Sequence, residues 1–237
     1  MLPKSPTLEM APDTRAGSSA RQHAQAECRI NEIFFSLQGE SIKVGLPTIF
    51  IRLTGCPLRC SYCDTAYAFH DGEKMSVDAI IQDISQYRTK HVTVTGGEPL
   101  AQKSCHELLA RLCDEGYQVS LETSGAIDVA NVDDRVMKIM DLKTPSSAEE
   151  AKNNFDNLTH ITTKDQLKFV IGDRPDYEWS VKKMNEFKLT DLCEILFSPE
   201  HDALSPTDLA NWILEDKLNV RMQVQLHKYL WGNVPGK

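Results

Sequence analysis

The chain has 237 residues, 41% of them hydrophobic and 25% charged, an ordinary composition for one sizeable folded domain. Its 26 basic and 34 acidic residues leave a formal charge of -8, with no Lys/Arg-dense run, which tells against an electrostatic grip on nucleic acid or on an anionic membrane. No apolar segment approaches the roughly 20 residues that span a bilayer, residues 1–28 lack the apolar core of a signal peptide, and seven cysteines, three of them clustered, suit a reducing cytoplasm better than a disulfide ladder.

Residues 1–28 mix Pro, Ser, Ala and balanced charge without an apolar period, which predicts a flexible leader ahead of a single domain at 29–237. The run INEIFFSLQGES at 30–41 leads to a Val/Ile/Leu-rich strand at 48–54 and then to the cysteine cluster. Further strands are predicted at 91–96, 118–123, 136–142, 166–171, 193–198 and 220–226. Helices are predicted at 76–88, 104–116, 177–187 and 206–216, with Ser76, Ser104 and Ser205 placed as N-caps and Gly116 as a stop. Strand and helix alternating along one chain give a mostly parallel α/β sheet with right-handed crossovers, either open or curled into a partial barrel. Chemistry then belongs on loops at the C-terminal ends of the strands.

GCPLRCSYCDT, residues 55–65, carries Cys56, Cys60 and Cys63 on such a loop. Spaced CxxxCxxC, three thiolates can hold three irons of a cubane and leave the fourth open. A structural zinc site completed by His70 or a distant cysteine is the simpler alternative, although zinc fingers usually supply ligands as two pairs. The other four cysteines, Cys28, Cys105, Cys113 and Cys193, read as buried and unliganded. After the strand at 91–96 comes Gly96-Gly97-Glu98-Pro99. Two glycines allow close backbone approach, and Glu98 offers a carboxylate to an ammonium group.

The cysteine spacing together with GGEP resembles the radical S-adenosylmethionine (SAM) enzymes. The combination of LQGE, GCPLRCSYCDT, TGGEP, LETSG and LHK is similar to the 7-carboxy-7-deazaguanine synthase family of queuosine (7-deazapurine) biosynthesis. The resemblance implies a partial, incomplete β/α barrel of the radical SAM type. It implies one 4Fe-4S cluster held by Cys56, Cys60 and Cys63, SAM as cofactor, and Mg²⁺ bound through Thr65. Cofactor contacts map to Gly97, Glu98, Ser124, Asp141, Leu142, Lys143 and Ser198. Substrate contacts map to Leu37, Gln38, Gly39, Arg52, Thr95 and His227. The implied reaction is ring contraction of a carboxylated tetrahydropterin with loss of ammonia, classed as a carbon–nitrogen lyase and begun by hydrogen abstraction at the substrate's C6. No side-chain catalyst is required. The implied partners are a flavodoxin or ferredoxin reductant and a second copy of the chain as homodimer, with no direct nucleic acid or membrane contact, in the cytoplasm. A glycyl-radical activating enzyme and a non-enzymatic iron–sulfur or zinc module are the competing readings.

Overall fold

The computed structural model describes residues 26–237; of the leader expected over residues 1–28, residues 1–25 lie outside the described residues. Residues 27 and 28 belong to the fold, with Cys28 fully buried in the core. It belongs to β1 (Glu27–Leu37), a long strand that the sequence reading does not assign. β1 escapes a pattern search because its alternation of buried and exposed positions lapses after Ile30, where a register shift breaks the ladder. It pairs antiparallel with β2 (Pro47–Leu53) on one side and with β3 (Glu73–Ser76) on the other.

From β2 onward the strands run parallel and in chain order: β4 (His91–Gly96), β5 (Gln118–Thr123), β6 (Met137–Asp141), β7 (Gln166–Ile171), β8 (Glu194–Pro199) and β9 (Arg221–Met222). The nine-stranded sheet has order β3-β1-β2-β4-β5-β6-β7-β8-β9 and is not closed. Sequential parallel order with crossovers of one hand places the helices on one face and leaves the other concave, so the fold is a partial β/α barrel. β9 keeps only two residues of the strand expected at 220–226, and the LHK segment instead opens a short helix, α5 (Leu226–Trp231).

The other helices lie near their predicted places: α1 (Val77–Ile84), α2 (Cys105–Asp114), α3 (Arg174–Phe187) and α4 (Pro206–Glu215). Ser76 caps α1 by accepting from the Ala79 amide at 3.2 Å, and Gly116 takes φ +77° just past α2. Ser104 and Ser205 make no side-chain cap; the Ser104 hydroxyl instead accepts from the Cys28 thiol at 3.3 Å. α2 buries Cys105, Leu108, Leu109 and Leu112, a single stripe at helical spacing.

Alternation along the strands sorts residues to two different environments. Ile49, Ile51, Leu53, Val92, Val94, Val119 and Leu121 belong to the core shared with α1 and α2. Met140, Leu167, Phe169, Ile171, Ile195 and Phe197 belong to a second core with α3 and α4. The intervening residues, among them Arg52, Thr95, Glu122, Asp141 and Lys168, line the concave face. Among the described residues no helix is long and apolar enough to cross a membrane.

Candidate active site

The concave face opens into a cavity of about 740 Å³ at the C-terminal ends of the parallel strands. Its walls come from the loop after β1, the cysteine loop after β2, the strand ends of β4 to β7, and the tail from Gln225 to Lys237. Of the residues singled out in the sequence, Leu37, Gln38, Gly39, Arg52, Cys60, Cys63, Thr65, Thr95, Gly97, Ser124, Asp141, Lys143 and His227 line it.

Glycines join the cysteine loop to the GGEP turn. Gly96 has φ +148°, and a Cβ there would sit 2.2 Å from the Leu53 carbonyl oxygen. A Cβ on Gly97 would meet the Gly55 carbonyl oxygen at 2.2 Å and Cys56 Cβ at 2.8 Å. The Gly97 amide donates to Leu53 (3.2 Å) and the Glu98 amide to Gly55 (2.8 Å), so the two loops pack backbone to backbone. Gly97→Ala is therefore expected to displace the cysteine loop, since the clashing atoms are backbone and cannot swing away. The overpacking should cost about 1–3 kcal/mol, seen as a lower urea midpoint together with reduced iron uptake on reconstitution.

Three residues expected as cofactor contacts, Glu98, Leu142 and Ser198, are not among those lining the cavity. Glu98 is fully buried, and its carboxylate accepts from the Leu100 amide (3.1 Å), the Thr123 hydroxyl (2.9 Å), and both the amide and hydroxyl of Ser124. With those donors in place it is a strap between the ends of β4 and β5, and not a free acceptor for an ammonium group. The Leu142 side chain is buried in the second core. Ser198 is buried, with its hydroxyl accepting from Gln223 Nε2 at 3.0 Å.

The loop after β1 folds inward across the concave face. Gln38 donates to the Thr93 hydroxyl (3.0 Å) and accepts from the Glu40 amide (3.1 Å). Glu40 receives Lys168 Nζ at 2.7 Å and Gln225 Nε2 at 2.7 Å. Gly39 packs so tightly on His227 that a Cβ would fall 2.1 Å from the imidazole Nδ1, and its carbonyl accepts from the Leu226 amide at 3.0 Å. Burial lowers the His227 pKa, which favours the neutral ring.

Arg52 is the residue whose charge most needs an account on a buried strand. Its Nε donates to Glu32 at 2.7 Å, and its guanidinium lies 5.6 Å from the Phe34 ring centroid and 5.8 Å from that of Tyr67. Among the described residues neither Nη has a protein acceptor, which leaves a two-pronged donor at the cavity wall. Thr95 stands beside Arg52 in the β2–β4 ladder and donates to Glu122 at 3.0 Å. Burial and the neighbouring Glu40 push the Glu122 carboxyl above the usual range.

On the far wall Lys143 pairs with Asp141 (3.1 Å), and Lys168 lies 3.5 Å from the same carboxylate. Asp141 Oδ1 and the Tyr62 hydroxyl are buried yet without a partner among the described residues. Buried polar atoms are nearly always bonded, so these two orphans on the cavity lining mark where a polar ligand is missing. Beside them, burial raises the Cys56 thiol and pushes the Cys60 thiol up to about 11. Desolvated thiols that Lys143 offsets only in part suit a positively charged metal centre, which deprotonates them on binding. The donor set, the glycine cradle and the orphaned atoms fit an iron–sulfur cluster carrying a polar cofactor.

Thr65 donates to Asp64 Oδ1 at 2.8 Å. Burial opposes ionisation of Asp64, but Lys228 at 2.9 Å and the Thr65 hydroxyl hold its carboxyl well below the usual range. A charged carboxylate next to a hydroxyl is a hard oxygen pair, as Mg²⁺ prefers. Asp64, Glu40, Glu122, Lys168 and Lys228 are site residues that the sequence reading passes over. Lys168 carries a legible signal, a charged residue at a single position within the Leu/Phe/Val/Ile-rich strand Gln166–Ile171.

The model of the radical SAM superfamily matches residues 50–188, and the chain belongs to that superfamily, as its open barrel and cysteine loop require. Among curated proteins it is 42% identical to the 7-carboxy-7-deazaguanine synthase of Koribacter versatilis (strain Ellin345) over 86% of this chain and 96% of that one. It is also 42% identical to the synthase of that name from Chlorobaculum tepidum, over 88% and 96% of the two chains. The crystal structure of QueE from Escherichia coli superposes with a TM-score of 0.71 at 25% identity, covering 85% of this chain and 95% of that one. The chain is a member of the 7-carboxy-7-deazaguanine synthase family.

Proposed function

We propose that the protein converts 6-carboxy-5,6,7,8-tetrahydropterin to 7-carboxy-7-deazaguanine with loss of ammonia, acting as a carbon–nitrogen lyase in 7-deazapurine synthesis. The observation that carries this reading is the cavity itself: the cysteine loop and GGEP turn are locked together at the rim of a polar chamber that presents the free prongs of Arg52. When bound, the 4Fe-4S cluster and SAM supply one-electron chemistry that begins the rearrangement by removing hydrogen from the substrate's C6.

The chain's own residues do the positioning. Cys56, Cys60 and Cys63 hold the cluster; Gly97, Ser124, Asp141 and Lys143 line the space for SAM. Arg52 takes the substrate carboxylate in a two-pronged pair. Thr95, Gln38, Gly39 and His227 fix the heterocycle, with Leu37 closing the apolar end beside Phe34 and Phe50. Thr65 and Asp64 supply oxygens for Mg²⁺, the remainder coming from substrate and water. The account expects a flavodoxin- or ferredoxin-type electron donor, a homodimer, and a cytoplasmic setting.

Arg52→Met is expected to raise KM for the carboxylated substrate about 10–100-fold, the worth of one charge-assisted hydrogen-bonding contact, with a smaller change in kcat. Steady-state kinetics measure the split; an unchanged KM would remove Arg52 from the carboxylate site. The reading as a whole is tested by product formation in anaerobically reconstituted enzyme with SAM, reductant, Mg²⁺ and the carboxypterin. Removal of Mg²⁺ with a chelator should slow turnover without bleaching the cluster.

A further inference from the structure

We infer that Asp176, on α3 and outside the cavity lining, is a positioning residue for the cysteine loop, acting through the segment 144–149. The inference rests on the reading of Cys56, Cys60 and Cys63 as cluster ligands. The middle of the cysteine loop, between its first and last thiols, is tied to that segment and to little else outside itself. Ser61 donates its amide to the Ser147 carbonyl (3.0 Å) and its hydroxyl to the Ser146 carbonyl (2.6 Å), while the Arg59 amide donates to the Glu149 carboxylate. Three bonds therefore fix the backbone that sets Cys60 relative to Cys56 and Cys63.

The segment holds no regular helix of its own; it is a 3-10 turn at Pro145–Ser147 ending on Ala148 in left-handed conformation. Its shape is imposed from Asp176, which is 1% exposed. Asp176 Oδ1 accepts from the Ser146 amide (2.9 Å), and Oδ2 accepts from the Gly172 amide (2.9 Å) and the Ser146 hydroxyl. A buried carboxylate with three donors, two of them backbone amides, is a rigid anchor, because each amide would otherwise be left unbonded away from water. A continuous path thus runs from the start of α3 through Ser146 to Ser61 and the thiols. Groups that orient metal ligands in this way typically change metal affinity 10–100-fold when removed.

The test uses the reconstituted holoenzyme and reads iron release to a chelator together with the electron paramagnetic resonance spectrum of the reduced cluster. Asp176→Asn and Ser61→Ala are each expected to speed release at least about tenfold and to alter the spectrum. The double variant should release iron little faster than Asp176→Asn alone, because both act on one path. Asp173→Ala is the comparison: Asp173 caps α3 by accepting from the Asp176 amide at 2.9 Å but does not touch Ser146, so its removal weakens the same helix start and should leave release unchanged. Release from Asp176→Asn no faster than from Asp173→Ala would overturn the inference. Should Asp176→Asn not fold, Ser61→Ala, an exposed position, decides alone, and wild-type release from it is equally fatal. A wild-type chain that takes up no iron would instead overturn the underlying reading of the cysteines.

Discussion

Cys60→Ala is expected to leave the folded chain without a cluster, and Cys56→Ala and Cys63→Ala to do the same. Each thiolate holds a different iron, so two remaining ligands cannot retain the cubane. Reconstituted wild type should carry about four irons per chain and the variants close to none, with turnover falling by at least about 10³ because the reaction cannot begin. Cys105→Ala is the contrast: Cys105 opens α2 and is fully buried in the core, and its loss should lower stability modestly while iron content stays at the wild-type level. The same chemistry fixes a pH dependence. Burial pushes the Cys60 thiol up to about 11, so at neutral pH it is protonated and must release its proton to bind iron. Cluster assembly should therefore accelerate as pH rises from 7 to 8.5, and a rate independent of pH would show that release of a thiol proton does not limit assembly.

Lys168→Met should have the largest effect on folding. Lys168 stands where three carboxylates meet, at 2.7 Å from Glu40 and 3.5 Å from Asp141, with Glu122 nearby. Removing the cation strands Glu40 in the interior, at a cost of about 3–5 kcal/mol. Glu40→Gln in the same chain should restore much of that loss, because the uncompensated charge goes with it. The pH window follows from the two shifts. Burial opposes both charges, but the pairing wins, lowering Glu40 from its usual 4.5 and raising Lys168 well above 10.5. The Glu40 contribution is present above pH 4.5 and lost as pH falls through its lowered folded value. The Lys168 contribution is present below pH 10.5 and lost only at higher pH. Urea denaturation across this range should show the wild-type advantage over Lys168→Met to be flat near neutrality and smaller in acid.

The parallel strands were legible because each is short, dense in Val, Ile, Leu and Phe, and bounded by Gly, Pro or polar residues; β4, β5 and β7 run over the residues the sequence predicts. β1 was not legible, since an antiparallel partner with a register shift leaves no steady alternation. The LHK segment misled for a related reason. Its Met-Gln-Val-Gln-Leu lead-in at 222–226 alternates like a strand, but the chain turns after Met222 so that Leu226 can bond to Gly39 and His227 can pack on it. Long-range contact overrode local propensity there.

The cysteine loop and GGEP announced themselves because a cofactor needs a fixed spacing on one short loop. Glu40, Glu122 and Lys168 did not, because the first lies on the loop after β1 and the other two on different strands, and only the fold brings them together with Asp141. Glu98 has partners that the sequence does not reveal. A carboxylate in a cofactor motif invites a ligand role, yet its donors come from Thr123 and Ser124 at the end of the next strand, which no local pattern reveals.

The most direct measurement of the central claim is turnover by anaerobically reconstituted protein given SAM, a reductant, Mg²⁺ and 6-carboxy-5,6,7,8-tetrahydropterin, with products followed by mass spectrometry. The account predicts 7-carboxy-7-deazaguanine and an equal amount of ammonia, accumulating over many turnovers while SAM is regenerated and not consumed in proportion. Deoxyadenosine accumulating without any deazaguanine product would contradict it.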